Sequence, residues 1–233
     1  MASPTDGVFG APLKMIDLEV FVPDIMSEVS DCPVPVIEKR LIEAAIEACE
    51  RANLVRWQAP ELRTRADRIC YDVPVPSKHT AIHSIIRCYL NQNPIRNVPP
   101  IDTHDNVYNQ LERYGTDGYF VPNRGQVQLG GNPQDSDLFT ASPREIRGLD
   151  LFVSIKPTRT ADELPKVLYD DYYNLIVAGT LARLFEMNDT FWTNEAKSER
   201  RHKEFEHEIA RAKMQIDRGF TTKPNKLRPR RFV

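Results

Sequence analysis

The sequence predicts an α+β fold: a helical bundle with long helices near 33–56, 165–187 and 193–218, an inserted antiparallel β region, and an extended C-terminal arm. Three observations lead there. Helix-period apolar stripes flank the chain's middle: Ile37, Leu41, Ala44, Ala45, Ala48, Ala52 and Val55 before it, and Leu168, Tyr172, Leu175, Ile176, Leu181, Ala182 and Phe185 after it. The middle itself holds short runs of β-branched and aromatic residues, as strands do. Thr221 to Val233 is basic and proline-bearing and contains no acid. The divisions are 1–66 (N-terminal arm and first long helix), 67–157 (β-rich insertion), 158–219 (helical bundle, continued) and 220–233 (extended basic arm).

Met1 to Met15 is small and polar and reads as an arm, loose or ordered on binding. Ile16 to Val22 alternates weakly as a short strand, and Pro23-Asp24 opens a helical piece ending near Asp31. Pro33 and Pro35 introduce the first long helix, where Glu47 and Arg51 have i, i+4 ion-pair spacing. Its buried alanines permit close packing, which makes it the partner of the helix containing Gly179. Strands are expected at Arg68–Val75, Ala81–Leu90, Gly125–Leu129 and Leu149–Ile155. Loops are expected at Pro99–Asp105 and Gly130–Arg147, with one or two helical turns at Asn106–Tyr114 between them. Pro165 suits a first helical turn, because its fixed φ is already helical. Gly179, amid Ala178-Gly179-Thr180, costs about 1 kcal/mol of helix propensity against alanine, which predicts another backbone passing close. Asn188-Asp189 ends that pattern, and a more polar helix follows from about Thr193 to Arg218. Charges dominate Glu195 to Glu208, and Phe205, Ile209, Ala212 and Ile216 form its apolar stripe. A helix so polar is solvated, held by charge pairs, or packed on a neighbouring subunit.

A hydrophobic content of 41%, a charged content of 27% and a formal charge of −2 describe an ordinary globular composition. As a whole the chain is not built to hold polyanions or membrane surfaces. Cys32, Cys49, Cys70 and Cys88 lack the close spacing of a zinc knuckle or redox motif, so free thiols and synthesis in a reducing cytoplasm are expected. The N-terminus lacks the pattern of a signal peptide, and no apolar run is long enough to span a bilayer.

His79 and His83 have the spacing of a zincin pair, but Thr80 stands where the glutamate belongs and the stretch reads as a strand. Strand alternation puts them on one side, and a metal-dependent hydrolase needs a third ligand besides. His202 and His207 point apart on a charged helix. The adjacent acids Asp170-Asp171 do not face one site, and Asp102, His104 and Asp105 lie in a loop with no phosphate cradle or nucleophile elbow. No Walker, dinucleotide or hydrolase motif occurs. The expectation is a protein without catalytic residues, metal or cofactor.

The arm carries Lys223, Lys226, Arg228, Arg230 and Arg231. Three readings stand: a frayed terminus, a nucleic-acid contact, or an extended peptide whose Leu227 and Phe232 plug a groove of a partner protein. The third fits best.

One succession is the most specific feature: strand LDLFVSI, Lys156-Pro157, polar residues, Leu164-Pro165, tyrosines, then Gly179-Thr180-Leu181-Ala182-Arg183-Leu184. Together with CPVPVIEKRLIEAAIEACERANLVRW, YDVPVPSKHTAIHSIIRCYLNQNPI and the final charged helix, it resembles the adaptor (head-to-tail connector) proteins of tailed bacteriophages. The likeness covers most of residues 32–219. It implies a structural virion protein, twelve copies of which form a ring below the portal and extend the DNA channel. The implied partners are the portal protein, a distal tail or nozzle protein and further copies of itself, with no membrane. DNA passes without specific binding, which the slight overall acidity suits. The resemblance assigns portal binding to Lys226, Leu227, Arg228, Arg230, Arg231 and Phe232. It places the protein in the virion neck or tail after synthesis in the host cytoplasm. A stopper or tail terminator, or a nucleic-acid-binding module using the arm, is the alternative.

Overall fold

The computed structural model describes residues 12–63, 70–90, 92–97, 118–129, 148–188 and 190–219, and within them the protein is mixed α+β. Strand β1 (Met15–Asp17) pairs antiparallel with β10 (Glu163–Pro165), Ile16 lying opposite Leu164. The strand expected to reach Val22 stops early, because Leu18 and Phe21 are both buried and a 3₁₀ turn over Leu18–Phe21 brings that spacing onto one face. Helix α1 (Val22–Glu28) follows, with Pro23 in its first turn, where a missing N–H costs nothing.

Helix α2 (Val34–Ala52) buries Ile37, Leu41, Ala44, Ala45, Ala48 and Ala52, as the periodicity predicts. It ends earlier than residue 56. Asn53 is left-handed (φ 51°) and returns its N–H to the Cys49 carbonyl, so Val55 is buried as the first residue of strand β2 (Val55–Gln58) instead. Apolar periodicity cannot tell these apart, since either element buries the side chain.

The main sheet is organised on β9 (Gly148–Pro157), whose Leu149, Leu151, Val153 and Ile155 are fully buried. On one side β9 takes β2 and the short β3 (Leu62–Arg63); on the other it takes β5 (Thr80–Leu90). Strand β5 turns through Gln92 (φ 67°) into β6 (Asn93–Asn97). Then come β7 (Gly118–Asn123), β8 (Gln126–Leu129) and β4 (Cys70–Asp72), in the order β2-β9-β5-β6-β7-β8-β4. The pairing is antiparallel except β6 with β7, which is parallel, a departure from the all-antiparallel insertion expected.

Beyond β10 the expected continuous helix is two. Helix α3 (Lys166–Asp170) stops at Asp171, and α4 (Tyr173–Phe185) begins after Tyr172, whose backbone (φ −126°, ψ 22°) is not helical. Pro165 closes β10 and flanks α3, so it is not in a first turn. Tyr172 is buried at the break, while Tyr169 and Tyr173 both pack on Phe21, with ring centroids 5.4 and 5.2 Å away. Asn194 caps α5 (Glu195–Asp217), its side-chain oxygen accepting the Lys197 N–H at 2.9 Å. Helix α4 packs on both α2 and α5, and α2 packs on β9. The core thus runs from the sheet through α2 and α4 to the stripe Phe205, Ile209, Ala212 and Ile216 of α5.

Candidate functional site

The segment Gly179 to Leu184 lies where three helices meet. A Cβ at 179 would stand 2.6 Å from the Phe205 ring and 3.2 Å from the Ala44 Cβ. The close approach predicted there is therefore real, but an aromatic ring from α5 and an alanine from α2 fill it, not another backbone. One turn on, Arg183 donates to the Gly179 carbonyl (2.6 Å), lies over the Phe205 ring (5.2 Å to its centroid) and pairs with Glu47 of α2. Glu47 also accepts from Arg51 at 3.0 Å, and Arg51 reaches Glu206 of α5 at 2.6 Å. The chain Arg183–Glu47–Arg51–Glu206 ties α4, α2 and α5 together. Hydrogen bonding to Glu206 raises the Arg51 pKa, and the same bond lowers that of Glu206.

A second cluster joins α2 to the sheet. Lys156, the lysine of the Lys-Pro step, donates to Glu50, with Arg124 at 3.8 Å. Hydrogen bonding to Lys156 holds the Glu50 carboxyl below its ordinary range. His83 lies against the pair, its pKa lowered chiefly by burial, and its buried Nδ1 has no hydrogen-bond partner among the described residues. His79 is committed elsewhere: its Nδ1 accepts the Asp162 N–H at 3.3 Å and its carbonyl accepts the Thr158 N–H at 2.9 Å. Thr80 opens β5, and a register shift between Ile82 and Ser84 breaks the alternation on which a shared face for the two histidines depended. Among the described residues no group of three His, Cys, Asp or Glu is placed to hold a metal ion. Cys32, Cys49 and Cys88 are buried free thiols and Cys70 is half-buried. Burial pushes the Cys88 pKa up to about 12 and the Cys49 pKa higher still, so neither supplies thiolate at neutral pH.

The charged face of α5 is held by pairs within the chain. Arg201 joins Glu28 of α1 and Glu204 (2.6 Å), and Arg200–Glu204 (3.2 Å) and Lys203–Glu199 (2.7 Å) run along the helix. Charge pairing, one of the roles expected for so polar a helix, is thus present along it. His202 is 3.9 Å from Glu206 and exposed; His207 is exposed as well. Beside these pairs an open groove between α1, α4 and α5 comprises two hollows of about 280 and 470 Å³. Asp170, paired with Lys166 at 3.2 Å, and Asp171 stand on its rim. Phe191, in the α4–α5 connection, is fully exposed.

The residues assigned to portal binding, Lys226, Leu227, Arg228, Arg230, Arg231 and Phe232, lie outside the described residues. So do Asp102, His104, Asp105 and the helical turns expected at 106–114. Of the residues that hold the two clusters, Glu47 and Arg51 pair as their spacing predicts, Lys156 and Arg183 are marked only by the succession that carries the resemblance, and His83 enters only as half of a metal pair. Nothing in periodicity or spacing points to Glu50 or Glu206 as the partners of Lys156 and Arg51. No protein-family model matches this chain, and a search of curated proteins finds no match to it either.

Proposed function

We propose that this chain is an adaptor of the head-to-tail connector of a tailed bacteriophage. Twelve copies form a ring below the portal, extend the DNA channel and present a landing surface to the distal tail or nozzle protein. The protein is structural and not enzymatic, and works in the virion neck after synthesis in the host cytoplasm. Its three long helical segments act as a bundle from which the β region and the C-terminal arm project, and the arm docks on the portal through Lys226, Leu227, Arg228, Arg230, Arg231 and Phe232.

The observation that carries this reading is the succession Lys156-Pro157, Leu164-Pro165, Gly179-Thr180-Leu181-Ala182-Arg183-Leu184. Each landmark has a packing task in this chain: Lys156 pairs with Glu50, Leu164 is buried in β10, Gly179 admits Phe205, and Arg183 bridges to Glu47. A subunit whose helices and sheet are tied together by such contacts suits repetition around a ring, where each copy presents one face to the next and the rotation closes. No helix of the described residues is long and apolar enough to cross a membrane.

The test is solution mass by light scattering, for the protein alone and mixed with the portal protein encoded beside it. Capture in fixed stoichiometry is expected, and deletion of 220–233 is expected to abolish it. A protein that ignores the portal but binds duplex DNA with a steep salt slope would replace this reading with a nucleic-acid-binding one.

A further inference from the structure

We propose that the open groove between α1, α4 and α5 is the seat of the basic arm 220–233 of the same chain before assembly. Its two hollows share Tyr173, Asn174 and Glu208 as a common wall, so they form one channel along α5. Six carboxylates rim it: Asp24, Glu28, Asp170, Asp171, Glu204 and Glu208. Among the described residues only two cations do, and both are engaged, Arg201 with Glu28 and Glu204 and Arg211 with Glu208 at 3.6 Å. Among the described residues the Asp24 carboxylate receives only the Tyr173 hydroxyl (2.6 Å), and Asp171 has no ion pair. Half-buried Tyr173 and Val177 supply an apolar floor.

The occupant follows from charge and from reach. Of the 31 lysines and arginines set against 33 acids, five fall in Thr221–Val233, so the rest of the chain carries −7 and the arm +5. The arm also begins at the groove. Ala212 and Gln215 of the last turns of α5 line it, and Gly219, left-handed at φ 62° with its N–H on the Ile216 carbonyl (3.0 Å), ends the helix in the manner that turns a chain off its axis. From Glu204 to Gln215 the groove runs roughly 16 Å at 1.5 Å per helical residue. The arm, extended at about 3.3 Å per residue, reaches about 40 Å. Laid back along α5, it sets its cations over the rim and brings Leu227 and Phe232 within reach of the apolar floor.

Docking in the free chain stands on the groove alone. What it adds to the adaptor reading, and rests on it for, is that the portal competes for an arm already held. A subunit off the ring then keeps its portal-binding residues covered.

The experiment is zero-length carbodiimide crosslinking of the full chain at low salt. The reagent activates a carboxylate, a lysine amine displaces the urea, and an amide forms that peptide mass spectrometry can map. Lys223 or Lys226 joined to Asp24, Asp171, Glu204 or Glu208 within the monomer band is expected, falling roughly fivefold or more when salt contracts the Debye length to about 3 Å near 1 M. Crosslinks confined to a dimer band, salt-independent crosslinks, or crosslinks to acids away from the groove would overturn the proposal. A second readout uses Asp171→Asn with Glu208→Gln, in full-length protein whose circular dichroism matches the parent. Trypsin should cut its arm about threefold faster or more, from losing contacts of surface-pair strength, and an unchanged rate sinks the idea. If the arm proves necessary for portal capture yet shows no groove crosslinks, the adaptor reading stands and this inference falls.

Discussion

Glycine at 179 gives up about 1 kcal/mol of helix propensity relative to alanine, and the Phe205 ring accounts for its presence. The ring is fully buried, with its edge against the Gly179 backbone and the Arg183 guanidinium over it, so it has little freedom to move aside. Overpacking a closed core typically costs about 1–3 kcal/mol, which exceeds the propensity an alanine would regain. Gly179→Ala should therefore destabilise the protein by about 1–2 kcal/mol in urea unfolding, and Phe205→Leu in the same chain should relieve part of that loss. An unchanged or raised midpoint for Gly179→Ala alone would show that the ring yields. Gly179 was legible in the sequence as an anomaly, a costly residue mid-helix. The filler was not, because Phe205 lies on another helix and nothing local records which side chain meets the gap.

At the scale of elements, ion pairs decide how α5 sits on its neighbours. Arg51 and Glu206 keep side-chain exposures of 39% and 41%, so solvent screens them, and a double-mutant cycle with Arg51→Gln and Glu206→Gln should return only about 0.5 kcal/mol of coupling. Arg183 is 19% exposed and serves Glu47, the Gly179 carbonyl and the Phe205 face together. Arg183→Gln should cost more, about 1–2 kcal/mol, in thermal melts. Equal losses from Arg51→Gln and Arg183→Gln would contradict this ordering. The apolar stripes of α2 and α5 were readable at 3.6-residue spacing, and so was the alternation of β9. Boundaries were not: Val55 fits helix and strand patterns alike, and the α3–α4 break carries neither glycine nor proline. Strands β2, β3 and β10 escaped because four, two and three residues are too few to show alternation. Strand β7 contains Pro122, which demotes a strand pattern, and β6 (Asn93-Pro94-Ile95-Arg96-Asn97) has little β propensity of its own and is defined by pairing with β5.

For the whole molecule, the Glu50–Lys156–His83 junction between α2 and the sheet makes stability sensitive to acid. A histidine whose folded pKa lies below its ordinary 6.5 is penalised when it must charge, so stability falls as pH drops through and below that value. Glu50, Glu204 and Glu206, whose folded pKa values are depressed, contribute stability that is present above about 4.5 and lost as pH falls further. Asp150 is raised by burial and works in the opposite direction, adding stability as pH falls toward its ordinary carboxylate range. Denaturant midpoints should therefore decline between about pH 7 and 5, and His83→Gln should flatten that part of the curve while leaving the steeper loss below pH 4.5. A decline of equal size in His83→Gln would place the titrating group elsewhere. The sequence by itself determined the α+β class, the two long amphipathic helices and the buried alternation of β9, because each is written in local periodicity and needs no partner to be read. The tertiary structure alone decided that Phe205 fills Gly179, that Arg183 and Lys156 bridge layers, that His79 and His83 serve different contacts, and that six carboxylates line one groove. Those arrangements join residues far apart in the chain, and only the packing of finished elements brings them within contact range.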